Sequence, residues 1–211
     1  AFMLPEGNLA VVIADVCGKG VGAALFMTLF RSLIRSATIP DHFAREKNRP
    51  ISSPSKRLLQ AILLTNDYVF ETHGDTSMFA TVFFGILEPA TGNFTYINGG
   101  NEAPVLVRKN GTLTLLDPTG PVVGAMANAE FSLKEVSIEK GDTLVAFTDG
   151  IPDCKSKEDK FFGKERLFPL LQSRDTTTAR LLDKIGGQLQ EFTGDSEQFD
   201  DITLLAVKRQ D

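Results

Sequence analysis

Three aspartates stand at the ends of apolar, β-branched runs, and each carries its own local signature. The first is Asp15, in Ile13-Ala14-Asp15-Val16-Cys17-Gly18-Lys19-Gly20. The second is Asp149, in Val145-Ala146-Phe147-Thr148-Asp149-Gly150. The third is Asp200 with its neighbour Asp201, in Phe199-Asp200-Asp201-Ile202-Thr203-Leu204-Leu205. A buried strand holds a terminal carboxylate rigidly, and glycine lets a ligand approach the backbone. Carboxylates gathered at one place repel each other, and a divalent cation relieves that repulsion. Carboxylate, carbonyl and water oxygens suit Mg²⁺ or Mn²⁺. Taken singly, Asp149-Gly150 would be an ordinary turn, Asp15 a helix cap and Asp200-Asp201 a charged strand start. The order and the repeated placement at strand ends are what point to chemistry.

Other chemistries find less material. Two cysteines, Cys17 and Cys154, and two histidines, His42 and His73, lie far apart in sequence and offer too few N and S ligands for zinc. Cys17-Gly18-Lys19-Gly20-Val21-Gly22 lacks the spacing, and the Ser or Thr after lysine, of a phosphate-binding loop. A formal net charge of -5 argues against nucleic acid as a partner. No apolar run reaches the roughly 18 residues that a membrane span needs, and no signal-peptide pattern opens the chain; a cytoplasmic location is expected, with membrane anchoring through parts outside this sequence left open.

The elements that must position these groups can be read from periodicity. Phe2–Leu4 and Leu9–Ala14 form a hairpin around Pro5-Glu6-Gly7-Asn8. A helix over Gly20–Ala37 follows, with Val21, Leu25, Thr28, Leu29 and Leu33 on one face. Pro40–Pro54 reads as a loop. A second helix from Ser55 sets Leu58, Leu59, Ile62, Leu63, Asn66, Val69 and Phe70 on one face, and the two helices together read as a switch next to Asp15. Strands are expected at Met78–Leu87, Asn93–Ile97, Pro104–Arg108, Leu113–Leu116, Glu130–Ile138 and Thr143–Phe147. Helices at Arg166–Leu171 and Thr178–Phe192 and a last strand at Ile202–Val207 complete the pattern. Hairpin-linked strands with separate helix pairs give an α+β class, not a doubly wound sheet. The 211 residues fit one domain.

With Met78-Phe79-Ala80-Thr81, Leu87-Glu88-Pro89-Ala90-Thr91-Gly92 and Asn98-Gly99-Gly100-Asn101 in support, the three aspartate motifs resemble the bacterial branch of the metal-dependent protein phosphatases. The resemblance is to the sporulation-phosphatase or sigma-regulator phosphatase type and runs from about Leu9 to Lys208. It implies a four-layer α-β-β-α sandwich, two antiparallel sheets flanked by helix pairs. It implies two Mn²⁺ or Mg²⁺ ions. Asp15 bridges them, the Val16 carbonyl adds a ligand, and Asp149 and Asp200 complete the set. Asp201, where many relatives have Asn, is a second-choice ligand; the eukaryotic branch's phosphate-binding Arg has no counterpart here, and Lys19 is a candidate for that task, the alternative being a solvated surface lysine. The implied reaction is direct attack of metal-bound hydroxide on a phosphoserine or phosphothreonine ester.

Partners implied by the resemblance are a phosphorylated protein such as an anti-sigma-factor antagonist and an upstream sensor or receiver domain, with room for a homodimer. The alternative is a phosphatase-like docking module without turnover. The sequence departs from the family pattern in three places. It begins after the family's first Gly-Asp-x-x-Asp motif, which reads as a C-terminal fragment forming a single phosphatase domain over 1–211. Cys17 stands where the eukaryotic branch has a histidine. Asn101 stands where that branch has an acidic ligand for a third metal.

Overall fold

The computed structural model describes residues 1–39, 53–172, 177–195 and 200–210. These form two compact units, Ala1–Asn101 with Pro118–Ser137, and Glu102–Asp117 with Ile138–Asp211. Each unit holds one antiparallel sheet and one helix pair, the α+β pattern expected from the sequence.

In the first unit the strands are β1 (Phe2–Met3), β2 (Leu9–Val16), β3 (Ala80–Leu87), β4 (Asn93–Gly99) and β7 (Lys134–Ser137), hydrogen-bonded in the order β1-β2-β3-β4-β7. Helices α1 (Gly20–Thr38) and α2 (Pro54–His73) cover one face. Alternation along β3 sends Ala80, Val82, Phe84 and Ile86 into the helix-side core with Phe30, Ile34, Leu58, Ile62 and Val69. Each large apolar side chain buried this way contributes roughly 1.5–3 kcal/mol. On the opposite face Phe83, Phe94 and Tyr96 form an aromatic cluster with ring centroids 5.7–6.2 Å apart. Gly85 gives the Phe94 ring its seat, since a Cβ there would lie 2.1 Å from Phe94 Cζ.

Several buried polar groups in this core are paired. Thr38 and Thr65 hydroxyls donate to the carbonyls one turn back, of Ile34 and Ala61. Asn66, buried in the apolar stripe of α2, accepts from the Gly124 amide at 2.9 Å and donates to the Met126 carbonyl at 3.1 Å. The buried Arg57 guanidinium pairs with Glu6 in the β1–β2 turn.

In the second unit the sheet order is β6-β5-β8-β9, from β5 (Val105–Val107), β6 (Leu113–Leu115), β8 (Thr143–Phe147) and β9 (Leu204–Lys208). Helices α3 (Lys164–Leu171) and α4 (Thr178–Thr193) pack Leu167, Leu171, Leu181, Ile185 and Leu189 onto Val105, Val145 and Phe147. Thr177 caps α4 by accepting from the Arg180 amide.

Three sequence expectations need correction. Val21 and Leu25, placed on the covered stripe of α1, are 78% and 66% exposed. The covered face of α1 is rotated from that stripe: Ala23, Phe26 and Met27 pack on the core beside the buried Phe30, Ile34 and Thr38. The strand expected over Glu130–Ile138 is only Lys134–Ser137, because Phe131 folds onto Gly120, and the Ser132 amide donates to the Thr119 carbonyl instead of joining a ladder. In α4 the helical period of Leu182, Ile185, Leu189 and Phe192 predicts the covered stripe, but the buried positions are Leu181, Ile185 and Leu189, with Leu182 and Phe192 half-buried beside them. The Pro40–Pro54 loop lies, except for Ser53 and Pro54, outside the described residues. Among the described residues no helix is long and apolar enough to cross a membrane.

Candidate metal centre

In the first unit, Asp15 is the penultimate residue of β2 and pairs in register with Thr81, while Val16 pairs with Ala80. Asp15 is half-buried and Val16 buried. Two left-handed glycines, Gly18 at φ +90° and Gly20 at φ +80°, then turn the chain into α1. A Cβ at either would meet nothing within 4 Å, so the requirement is conformational, not steric. Lys19, exposed, is the N-cap residue of α1 and makes no side-chain capping bond.

Cys17 stitches this turn to the start of β3. Its amide donates to the Phe79 carbonyl at 2.9 Å, and its sulfur accepts from the Phe79 amide at 3.3 Å and faces the Ser77 carbonyl at 3.5 Å. At the position where a histidine was the alternative, the thiol therefore has a structural task.

In the second unit, β8 runs straight into Thr148-Asp149-Gly150, and this corner is locked to the strand entering β9. The Thr148 amide donates to the Thr203 carbonyl at 3.1 Å. The buried Thr148 hydroxyl donates to the Asp201 carbonyl at 3.1 Å and accepts from the Thr203 amide at 3.0 Å. Gly150 lies against the same segment, and a Cβ there would sit 2.3 Å from the Asp201 carbonyl oxygen. The glycine after Asp149 thus admits the Asp201 backbone, where the sequence suggested close approach of a ligand.

The result is that Asp149 and Asp200 face each other electrostatically. The Asp149 carboxyl is held above the usual carboxylate range, first by partial desolvation, then by the charges of Asp200, Asp153 and Glu102, while a hydrogen bond from the Gly150 amide pulls the other way. Asp200 accepts from the Asp201 amide at 2.8 Å. Asp201 is exposed, and its charge does not figure among those acting on Asp149. Its backbone carbonyl accepts from the Thr148 hydroxyl. Among the described residues no three His, Cys, Asp or Glu side chains are gathered at metal-ligating spacing.

Sequence reasoning missed Glu102, Asp153 and Thr148. Asp153 sits one turn-like step after Asp149, with its amide donating to the Asp149 carbonyl at 2.9 Å. Its spacing was the available signal. Glu102 follows the Asn98-Gly99-Gly100-Asn101 turn, and nothing in its local sequence marks it. The groups at this corner are carboxylate oxygens, the donor type a hard divalent cation takes, and their charges add to the desolvation that raises Asp149.

Residues 5–210 match the family model for stage II sporulation protein E. The chain belongs to the SpoIIE family. It is 42% identical to Protein IcfG of Synechocystis sp. over 221 residues, covering 99% of this chain and 35% of IcfG. It is 27% identical to the phosphoserine phosphatase RsbU of Bacillus subtilis, covering 99% of this chain and 58% of RsbU. The chain therefore spans about a third to just over half the length of these relatives. The solved structure of the PP2C phosphatase domain of SpoIIE from Bacillus subtilis superposes with a TM-score of 0.74 at 15% identity, covering 98% of this chain and 55% of that one. The SpoIIE-family chain thus has the PP2C fold, with its two antiparallel sheets and four helices.

Proposed function

We propose that this SpoIIE-family protein is a metal-dependent protein phosphatase that hydrolyses phosphoserine or phosphothreonine on a signalling partner. The observation that carries the reading is the Asp149–Asp200 pair. The corner held by Thr148 and Gly150 sets Asp149 where desolvation and the charge of Asp200 raise it, the kind of cost that a bound cation would offset. Family membership supports the same class, as does RsbU, a phosphoserine phosphatase. PstP, a serine/threonine phosphatase of the same fold (TM-score 0.66), is solved with two manganese ions.

In this reading Asp15, the Val16 carbonyl, Asp149 and Asp200 hold two Mn²⁺ or Mg²⁺ ions, with Asp201 as the second-choice ligand. When bound, the ions supply Lewis acidity toward the phosphoryl oxygens and a nucleophilic water at neutral pH. The chain's own residues do the positioning. The glycine turn at Gly18 and Gly20 fixes Asp15 relative to α1, and Cys17 holds that turn to Phe79. Thr148 fixes Asp149 against Asp200. Lys19, exposed at the start of α1, is the group that meets the phosphate, because a cation there adds to the positive end of the helix. The substrate is a phosphorylated protein of the anti-sigma-factor-antagonist kind, and an upstream sensor or receiver domain controls the reaction. Phosphate release from a phosphoserine peptide, titrated with Mn²⁺, tests the reading. Turnover that ignores added Mn²⁺ and chelator alike would overturn it.

A further inference from the structure

The backbone that leaves Asp149 does not run straight into α3. It first folds into a short hairpin, 152–163, within the second unit. The Asp153 amide donates to the Asp149 carbonyl at 2.9 Å, and the Gly163 amide closes the base on the Pro152 carbonyl at 2.9 Å. The Phe162 amide donates to the Cys154 carbonyl at 2.8 Å, Lys155 and Phe161 are antiparallel partners, and the Ser156 amide donates to the Lys160 carbonyl at 2.9 Å. Arg166 fixes the base by donating to the Phe162 carbonyl at 3.0 Å, with its guanidinium over the Phe192 ring that Phe162 meets edge-on at 5.3 Å.

Two adjacent phenylalanines have different tasks here. Phe162 is buried and supplies the contact of the hairpin with the core. Alternation turns Phe161 to the other side, where it is 53% exposed. A single exposed aromatic is ordinary on a protein surface. This ring is held in place, because the Lys155 ammonium lies 5.2 Å over it and is itself tied to Asp159 at 2.8 Å. A ring ordered in advance loses little freedom when a partner covers it. Lys160, next in the chain, is exposed and enters no ion pair among the described residues. On a chain of net charge -5 the hairpin thus presents an apolar face beside a positive charge that is not neutralised. A phosphorylated segment, with up to about two negative charges on its phosphate, complements that charge. Lys155 follows Asp149 by six residues, at most about 20 Å of extended chain, so a peptide with its phosphoserine at Asp149 reaches Phe161 within about six residues.

We propose that this hairpin reads the phosphoprotein: Phe161 seats an apolar side chain of the segment that carries the phosphoserine, and Lys160 attracts the acidic flank of that segment. The inference rests on the phosphatase reading above and names how the same site selects its substrate.

The experiment is steady-state kinetics of the chain in excess Mn²⁺ with three probes. They are p-nitrophenyl phosphate, a phosphoserine peptide with Leu and Glu within six residues of the phosphoserine, and the same peptide with Leu→Ser and Glu→Lys. The wild type should prefer the first peptide through a lower KM. Phe161→Ala should raise KM for that peptide by about tenfold with little change in kcat, and should lower kcat/KM for p-nitrophenyl phosphate far less. Phe161→Leu should keep most of the preference. Lys160→Glu should raise KM for the first peptide by about threefold at low salt, an effect that fades as salt is added. Equal losses on the peptide and on p-nitrophenyl phosphate would mark Phe161 as structural and overturn the proposal. So would a wild type that cleaves p-nitrophenyl phosphate without distinguishing the two peptides. A wild type that releases phosphate from none of the three probes would instead overturn the phosphatase reading, and this inference with it.

Discussion

Replacing Gly150 by alanine puts the corner that holds Asp149 under direct stress. The added Cβ would lie 2.3 Å from the Asp201 carbonyl oxygen and 3.0 Å from its carbon, where ordinary contact begins at about 3.4 Å. One of the two segments must therefore move by about 1 Å, and both are backbone with little freedom to yield. Overpacking of this kind costs about 1–3 kcal/mol. The same displacement lengthens the bond from the Thr148 hydroxyl to the Asp201 carbonyl, now 3.1 Å, and adds about 1 kcal/mol. The sum, about 2–4 kcal/mol, lowers the melting temperature by roughly 5–15 °C for a chain of this size. Because Asp200 moves with Asp201, turnover should fall about a hundredfold, the usual cost of a 1 Å misplacement. Denaturant unfolding and Mn²⁺-dependent phosphate release read the two effects. Gly18→Ala is the control, since its Cβ meets nothing within 4 Å and the substitution pays only the left-handed backbone penalty of about 1–2 kcal/mol. If Gly150→Ala unfolds within 0.5 kcal/mol of the wild type and keeps full activity, the reasoning about this corner is wrong.

Thr148→Val keeps the shape of the buried side chain and removes both hydroxyl bonds, and it should cost about 1–3 kcal/mol and lower kcat with little change in KM, measured by denaturant titration and steady-state kinetics. Asp149→Asn should change the pH dependence of the metal-free protein. The folded carboxyl lies above its ordinary range, so its favourable contribution is complete below the unfolded Asp pKa and is lost as pH rises through the folded value. Metal-free Asp149→Asn should therefore lose that acid-side gain in a melting series from pH 3 upward, and at neutral pH melt at or above the wild type.

Most of the framework was legible in the residues. Alternation in β3, the helical stripe of α2 and the Thr143–Phe147 run all placed elements within a residue or two. Asn66, read on the apolar face of α2, is buried and satisfied by the Gly124–Met126 backbone. What periodicity could not give was which apolar face of α1 turns to the core, so Val21 and Leu25 were assigned to it where Ala23, Phe26 and Met27 pack instead. Nor could it show that Phe131 would leave the strand to fill the space above Gly120. Among the proposed ligands, the three aspartates were marked by their glycines and strand ends. Glu102 was not, because nothing in its local sequence marks it and its partner Lys164 lies 62 positions on. The role of Gly150 was visible as a residue type but not as a partner, since its neighbour is the backbone of Asp201.

The central claim is that Asp15, Asp149 and Asp200 act together on divalent ions to cleave a phosphoester. Its most direct test is release of phosphate from a phosphoserine peptide across a Mn²⁺ titration, run on the wild type and on Asp15→Asn, Asp149→Asn and Asp200→Asn, with melting curves to confirm that each is folded. The expected result is Mn²⁺-dependent turnover in the wild type and a loss of at least a hundredfold in each folded variant, even at saturating Mn²⁺. Full activity in any one of the three folded variants would contradict the account.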